Sequence, residues 1–401
     1  MSEQASLTGI ARRQVFLMAT SCALAVSTIY YHQPLLPQMA STFGVSAAHG
    51  NLIATLTQLG YATGLLLYVP LGDAIQPRKL ASLAISANAV ALMACAVAPT
   101  FLLLAGCSFL VGVTAVAAQI IIPAVSGQAT EATRGRVVGS LLGGLSSGML
   151  LARTVSGLVG AHLGWRAIFV FASAVDLALL VIIVRYLPLS ASLSPIRYRD
   201  LMRSLANLVG EEPLLRISAA TSFLLFASFS ALWATLAALL VQPPYEFGPA
   251  TIGAFGLVGI LGLLVSPQIG AVADRIGPRN MASAGAIIVM MAFALVAAGG
   301  VSLSCLITGM VLLDIGNRAA LVANQTRIYA LRPQARSRLN TVLMVSYFLG
   351  GASGAVLGGL GAHLEAWIGL AAVGAVLALT ATAVNALSYN QINPDLANVR
   401  A

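Results

Sequence analysis

The sequence predicts an all-α polytopic membrane protein, with twelve transmembrane helices in two pseudo-symmetric six-helix bundles. Three observations carry this. The chain of 401 residues is 59% hydrophobic and only 8% charged, whereas soluble domains carry about 25% charged residues. A soluble chain of this length would form two or three cored domains, and there are too few polar residues to cover them. Long runs lack any Asp, Glu, Lys or Arg, namely 14–72, 80–130, 217–245, 280–313, 339–364 and 366–394. Finally, the two halves of the chain repeat one another at a near-constant offset.

The helices follow in order from those runs. One crossing takes about 20 apolar residues, so 14–72 and 80–130 each hold two. Backbone groups in lipid must bond within their own segment, and the runs lack the roughly ten-residue alternation of barrel strands. The predicted spans are 14–36, 49–71, 80–98, 101–123, 137–160 and 166–187 in the first half. In the second half they are 215–241, 250–272, 281–299, 302–325, 339–361 and 366–389. The only long charged connection is 188–213, with Arg197, Arg199, Asp200, Arg203, Glu211 and Glu212. The expected organisation is a bundle in 1–187, a linker in 188–213 and a second bundle in 214–401.

The formal charge of +9 could suggest nucleic acid, but its placement points to a lipid bilayer. Arg12, Arg13, Arg78, Lys79, Arg134, Arg136, Arg275, Arg279, Arg332, Arg336 and Arg338 all fall in alternate connections, as does the linker; Arg166 is the main exception. This is the positive-inside asymmetry of a bacterial inner-membrane protein, with both termini and the linker in the cytoplasm. Arg12 and Arg13 precede a long apolar run without a small-residue cleavage site, which reads as a retained first helix. Cys22, Cys95, Cys107 and Cys305 lie inside apolar runs and read as small buried hydrophobes with no disulfide or metal spacing. His32, His49, His162 and His363 lack metal-ligand spacing, and no phosphate loop is present. Neither an enzyme nor a cofactor is expected.

The repeat is specific. Pro-Leu-Gly-Asp-Ala-Ile-Gln-Pro-Arg-Lys surrounds Asp73, and Ala-Val-Ala-Asp-Arg-Ile-Gly-Pro-Arg-Asn surrounds Asp274. The two aspartates are 201 positions apart, as are Arg78 and Arg279. Gly148, Gly157 and Trp165 match Gly350, Gly359 and Trp367 at an offset of 202. Such offsets imply two parallel six-helix halves of common fold.

These segments resemble the loop motif of the major facilitator superfamily, Gly-x-Leu-Ala-Asp-Arg-x-Gly-Arg-Arg/Lys. The second copy, Gly270 to Arg279, is nearly complete; in the first, Val69, Ala74 and Gln76 replace motif residues. Tyr30-Tyr31-His32-Gln33-Pro34, Gly164-Trp165-Arg166 and Asn324-Gln325-Thr-Arg327-Ile-Tyr329 are similar to the bacterial arabinose-efflux-permease-like and drug-efflux permeases. The resemblance implies a secondary transporter working by rocker-switch alternating access, with a substrate site between the halves and proton-coupled efflux of a small organic molecule. Metabolite uptake by symport or facilitated diffusion is the alternative, and a non-transporting membrane receptor is another. Protons and a small-molecule substrate are the expected partners, and the chain is expected to be a monomer. The resemblance also implies a conformational latch. Gly72, Asp73, Arg78 and Lys79 would face the start of helix 11 near Asn340, where a helix N-terminus favours a carboxylate. Gly270, Asp274, Arg275, Gly277 and Arg279 would do the same against helix 5.

Charges inside apolar helices are costly and mark functional candidates. Arg153, Asp176, Asp314 and Arg318 are four such residues. Asp314 and Arg318 share a helix face at i, i+4 and can pair, as a proton-titrating or substrate-contacting unit. Arg153 needs an acceptor, with Asp176 or the cavity as the options. It sits among Gly143, Gly144, Gly148 and Gly157, which resemble the antiporter motif without its proline. Helix 11 carries a parallel run through Gly350, Gly351, Gly354, Gly358 and Gly359, and both runs read as gliding surfaces between halves. The helix-4 arginine common in drug:proton antiporters is replaced by Ser108. His32 can exchange protons near neutral pH or sit at the membrane interface beside Gln33. Gln58, Tyr61, Gln119, Trp233, Asn317, Asn324, Gln325 and Tyr347 offer polar or stacking groups to a cavity.

Overall fold

A computed structural model describes residues 12–71, 75–188, 198–261, 264, 275–332 and 335–392. Its regular elements are helices. In the first half these are α1 (Arg12–Ser27), a 3-10 turn (Gln33–Leu35), α2 (Leu36–Thr42), α3 (Ala47–Leu71), α4 (Pro77–Ala96), α5 (Phe101–Thr114), α6 (Ala117–Ser126), α7 (Glu131–Leu163) and α8 (Trp165–Tyr186). Then follow α9 (Tyr198–Glu211), α10 (Pro213–Leu240), α11 (Pro249–Ala254), α12 (Pro278–Ala297) and α13 (Leu303–Leu331). The stretch Arg336–Ile392 is helical except at Glu365 and Ala366, where φ is −141° and +44°. Gly361 and Gly369 pack against each other across this bend, so 336–364 (α14) and 367–392 (α15) are two antiparallel crossings.

Among the described residues, nine helices are long and apolar enough to cross a membrane, with Arg336–Ala386 counted as one. Its bend makes ten. Residues 12–42 and the shorter apolar segment Pro249–Leu261 fall where the other two crossings were expected; the rest of the second, apart from Leu264, lies outside the described residues. Two crossings of the first half are interrupted where the sequence suggested continuous helices. The first, expected over 14–36, stops at Ser27 and turns through 28–32; Pro34 and Pro37 cannot donate to a continuing helix. The fourth, expected over 101–123, breaks between Thr114 and Ala117.

Glycines set the packing inside each half. Gly144 and Gly148 of α7 lie against the Ala19 and Ala23 carbonyls of α1. Gly350 and Gly354 of α14 lie against the Phe223 and Ala227 carbonyls of α10, and Gly358 against Ala231. Gly148 and Gly350, matched by the repeat, therefore do the same job in the two halves. This corrects the reading of both glycine runs as surfaces gliding between halves. Of the runs, Gly157, Gly351 and Gly359 approach the other half, at Gly253, Gln58 and Asn51 respectively. At Gly148 and Gly350 an added Cβ would land on a backbone oxygen that cannot yield. Gly148→Val and Gly350→Val should each cost about 3 kcal/mol or more, read as loss of monodisperse protein after extraction.

One end of the bundle is basic. There Gln14 Nε2 donates to the Tyr186 carbonyl (2.9 Å) and Arg78 Nε to the Leu187 carbonyl (2.7 Å). The amphipathic α9 lies at this end with Leu201, Leu205 and Leu208 buried. Arg332 ties its C-terminus down through Glu211 (2.9 Å) and Glu212 (2.7 Å). The opposite, far end carries Trp165, which donates to Thr42 (2.9 Å) and packs on Phe43.

Candidate functional site

The interrupted helices meet in the interior of the first half. Asn88 of α4 donates to Thr28, just past α1 (3.2 Å), and accepts from Thr114 at the end of α5 (3.3 Å). All three are buried. A break in a membrane helix frees backbone groups that need partners, and Asn88 braces both breaks. The sequence signal was an asparagine within a charge-free run.

The turn after α1 carries Tyr30 and Gln33 toward α7. Arg153, 3% exposed, donates from Nε to Gln33 Oε1 (2.6 Å) and from Nη1 to its own helix at the Met149 carbonyl (3.2 Å). Its Cζ lies 3.8 Å from the Trp233 ring centroid and 4.9 Å from that of Tyr30. Cation–π contact of a desolvated guanidinium is worth about 2 kcal/mol, so the charge is held by two rings and an amide. Trp233 belongs to α10, which makes Arg153 a link between the halves. Asp176, offered by the sequence as its acceptor, is not among its partners; it lies on α8, 1% exposed, with Oδ2 unbonded.

In the second half, α13 presents Asp314, Asn317 and Arg318. Arg318 Nε donates to Asp314 Oδ2 at 2.7 Å, the i, i+4 pair the spacing predicted. Asn317 donates to Tyr347 Oη at 2.9 Å. Tyr347 stacks on Phe226 with centroids 3.7 Å apart, Phe348 meets both edge-on, and Tyr61 of the first half sits 4.4 Å from Phe348. Gln119 reaches Tyr61 Oη at 3.4 Å. Phe229 joins this cluster to Trp233, with ring centroids 5.6 Å from Phe226 and 6.1 Å from Trp233. Arg153, Gln33, Trp233, Asp314, Asn317, Arg318, Tyr347 and Gln119 thus form one polar and aromatic layer between the halves.

Other candidates fall elsewhere. His32 is 3% exposed, with Nε2 unbonded. It is not an interfacial residue, because the chain folds inward when the first crossing stops at Ser27. Asn324 lies inside the second bundle, donating to Ser222 (3.0 Å) and accepting from Arg327 (3.3 Å). Arg327 also bonds Asn385 (2.8 Å), whose amide reaches Ser283 (2.7 Å). This buried arginine was missed because it follows so closely on Asn324 and Gln325 near the basic end. Gln325 shares Asn340 with Tyr329, at 3.3 and 2.9 Å. Of the latch, Gly72, Asp73, Gly270 and Asp274 lie outside the described residues. Arg78 caps Leu187, Lys79 continues α4, Arg275 is exposed, Gly277 takes φ +81° before α12, and the Arg279 carbonyl accepts from Asn385.

The described glycines that meet backbone of the other half lie from this layer to the far end. Gly157 meets Pro249 and Gly253, Gly256 meets Leu150, and Thr154 donates to the Gly253 carbonyl (3.1 Å). Toward the basic end, a Cβ at Gly135, Gly139 or Gly143 would meet nothing within 4 Å.

Comparison with known proteins fits this architecture. A sequence profile of the Major Facilitator Superfamily matches residues 15–217 and again 218–401. The chain is 36% identical over 366 residues to the putative uncharacterized transporter YgaY of Escherichia coli (strain K12), covering 91% of this chain and 93% of that one. It is 33% identical over 373 residues to the probable transporter SCO4007 of Streptomyces coelicolor, covering 92% and 86%. Among solved structures, a bacterial homologue of the human lysosomal transporter Spinster, inward-facing and occupied, superimposes with a TM-score of 0.75 at 17% identity, over 94% of this chain and 97% of the other. The nucleoside transporter NupG (D323A mutant) gives 0.75 at 15% identity over 92% and 99%.

Proposed function

We propose a mechanism for this chain, which belongs to the Major Facilitator Superfamily and is a multi-pass membrane transporter. It moves a small organic molecule by alternating access to the layer between its halves, in the bacterial inner membrane with the basic end in the cytoplasm. Asp314 carries the coupled proton, and efflux is the direction the sequence resemblance supports. The observation that supports coupling is the pair formed by buried Asp314 and half-buried Arg318 in the same layer as the inter-half residue Arg153.

A second reading, uptake with a proton, draws on one feature of the same pair. Ionised Asp314 occupies Arg318; a protonated Asp314 frees it for substrate, so proton and solute can bind together. Proteoliposomes with an imposed pH gradient decide, using a solute found by thermal stabilisation of the purified protein. Solute leaving the side that gains protons supports exchange, and solute moving with protons supports uptake. Solute binding without flux overturns both and favours a receptor.

The basic end would be latched when shut by Asp73 against the start of α14, near Asn340. Asp73→Asn should slow turnover several-fold with solute affinity unchanged; an unaltered turnover rate argues against the latch.

A further inference from the structure

We infer that the substrate is an organic anion carrying one negative charge, whose carboxylate is taken by the free edge of the Arg153 guanidinium. The inference rests on the transport reading above and names the substrate class of that site.

The charges in the layer do not balance. Arg153 and Arg318 are both cationic, Asp314 is the one carboxylate, and its Oδ2 is bonded to Arg318. Every direct partner of Arg153 is neutral: the Gln33 amide, the Met149 carbonyl, and the rings of Tyr30 and Trp233. An uncompensated guanidinium away from water is expensive unless something closes its charge.

The donors do not balance either. A guanidinium has five N–H groups in a planar fork and no acceptor. Nε and Nη1 are used, while Nη2 is buried and has no partner. An orphaned donor costs its full desolvation, and a carboxylate answers the vacancy and the charge together, since its two oxygens match the fork. Beside it lies a cavity of only about 10 Å³, lined by Gln33, Arg153, Trp233, Leu236 and Ile252, room for about one water. An anion therefore enters only as the halves part, and Leu236 and Ile252 then offer apolar contact to an aliphatic or aryl body.

Two other substrate classes fit worse. An organic cation would meet a second and a third positive charge, at Arg153 and Arg318, with one carboxylate already bonded to Arg318. A neutral solute would leave the charge uncompensated.

The test uses the purified full-length chain with three probes sharing one ring: benzoate, benzyl alcohol and benzylamine. Benzoate should raise the melting temperature of the wild type and change its tryptophan emission, because Trp233 underlies the guanidinium. The alcohol and the amine should do neither. Arg153→Gln should weaken benzoate binding by about tenfold or more, equivalent to about 1.4 kcal/mol. Arg153→Lys, which keeps the charge but not the fork, should fall between. Trp233→Phe should lose most of the emission change. The inference is overturned if benzoate leaves the folded wild type unaffected, if benzylamine or benzyl alcohol matches it, or if Arg153→Gln and Arg153→Lys both bind benzoate as the wild type does. Its failure is separable from that of the transport reading. Flux of an organic cation without any benzoate effect sinks this inference alone; benzoate binding in a protein that passes no solute sinks the transport reading alone.

Discussion

Replacing Asp314 with Asn should abolish proton-driven accumulation while leaving downhill movement of solute intact. Asn keeps the size of Asp and offers Arg318 an oxygen at the 2.7 Å position the carboxylate now holds, but it cannot take up a proton. One elementary charge crossing about 100 mV supplies roughly 2.3 kcal/mol. At about 1.4 kcal/mol per tenfold, a one-proton coupling sustains roughly a forty- to fifty-fold gradient. The variant should lose that factor in an accumulation assay and retain exchange of labelled for unlabelled solute. Unchanged accumulation would remove Asp314 from the coupling step. Loss of exchange as well would assign it to substrate binding.

The second large effect is expected at Gly157, on the far side of Arg153. Its Cα packs against Gly253, and a Cβ there would fall on the Pro249 carbonyl oxygen. Both obstacles are backbone, so α7 and α11 cannot close over a side chain. Gly157→Leu should hold the far end apart and reduce turnover by about a hundredfold or more, a barrier increase near 2.7 kcal/mol. Solute binding should survive, because the side chains at Arg153, Asp314 and Tyr347 are unaltered. Turnover near the wild-type rate would mean that this approach plays no part in the cycle. The contrast with Gly148→Val separates the roles: that change breaks packing within a half and should cost folded protein.

Much of the fold was legible because lipid leaves few options. Charge-free runs of sufficient length must be helices, and the repeat of Asp73 and Asp274 implied two related halves. The Gly148–Gly350 match was also visible as an offset, but its meaning was not. A glycine pattern says that something approaches closely; only tertiary structure says whether that is a helix of the same half. The breaks after Ser27 and Thr114 were hidden for a similar reason. Apolar composition is the same in a continuous and an interrupted crossing, and the bracing residue, Asn88, is distant in sequence from Thr28. The Asp314–Arg318 pair was readable because helix geometry fixes i, i+4 neighbours. The partners of Arg153 were not, since Gln33 and Trp233 come from other helices. Asp176 was the natural electrostatic guess, but α7 and α8 present these residues to different neighbours.

The most direct test of the central claim, that the two halves alternate around one shared layer, is a pair of spin-label distances in liposomes. Labels at Ser46 and His363, which face the same far-end cavity, report that end. Labels at the exposed Arg136 and Arg336 report the basic end, with the four native cysteines replaced. Alternating access requires two populations in opposition: a short far-end distance with a long basic-end one, and the reverse, in proportions that shift with pH and lose that shift in Asp314→Asn. Distances that lengthen and shorten together, or a single fixed pair at every pH with solute bound and absent, would contradict it.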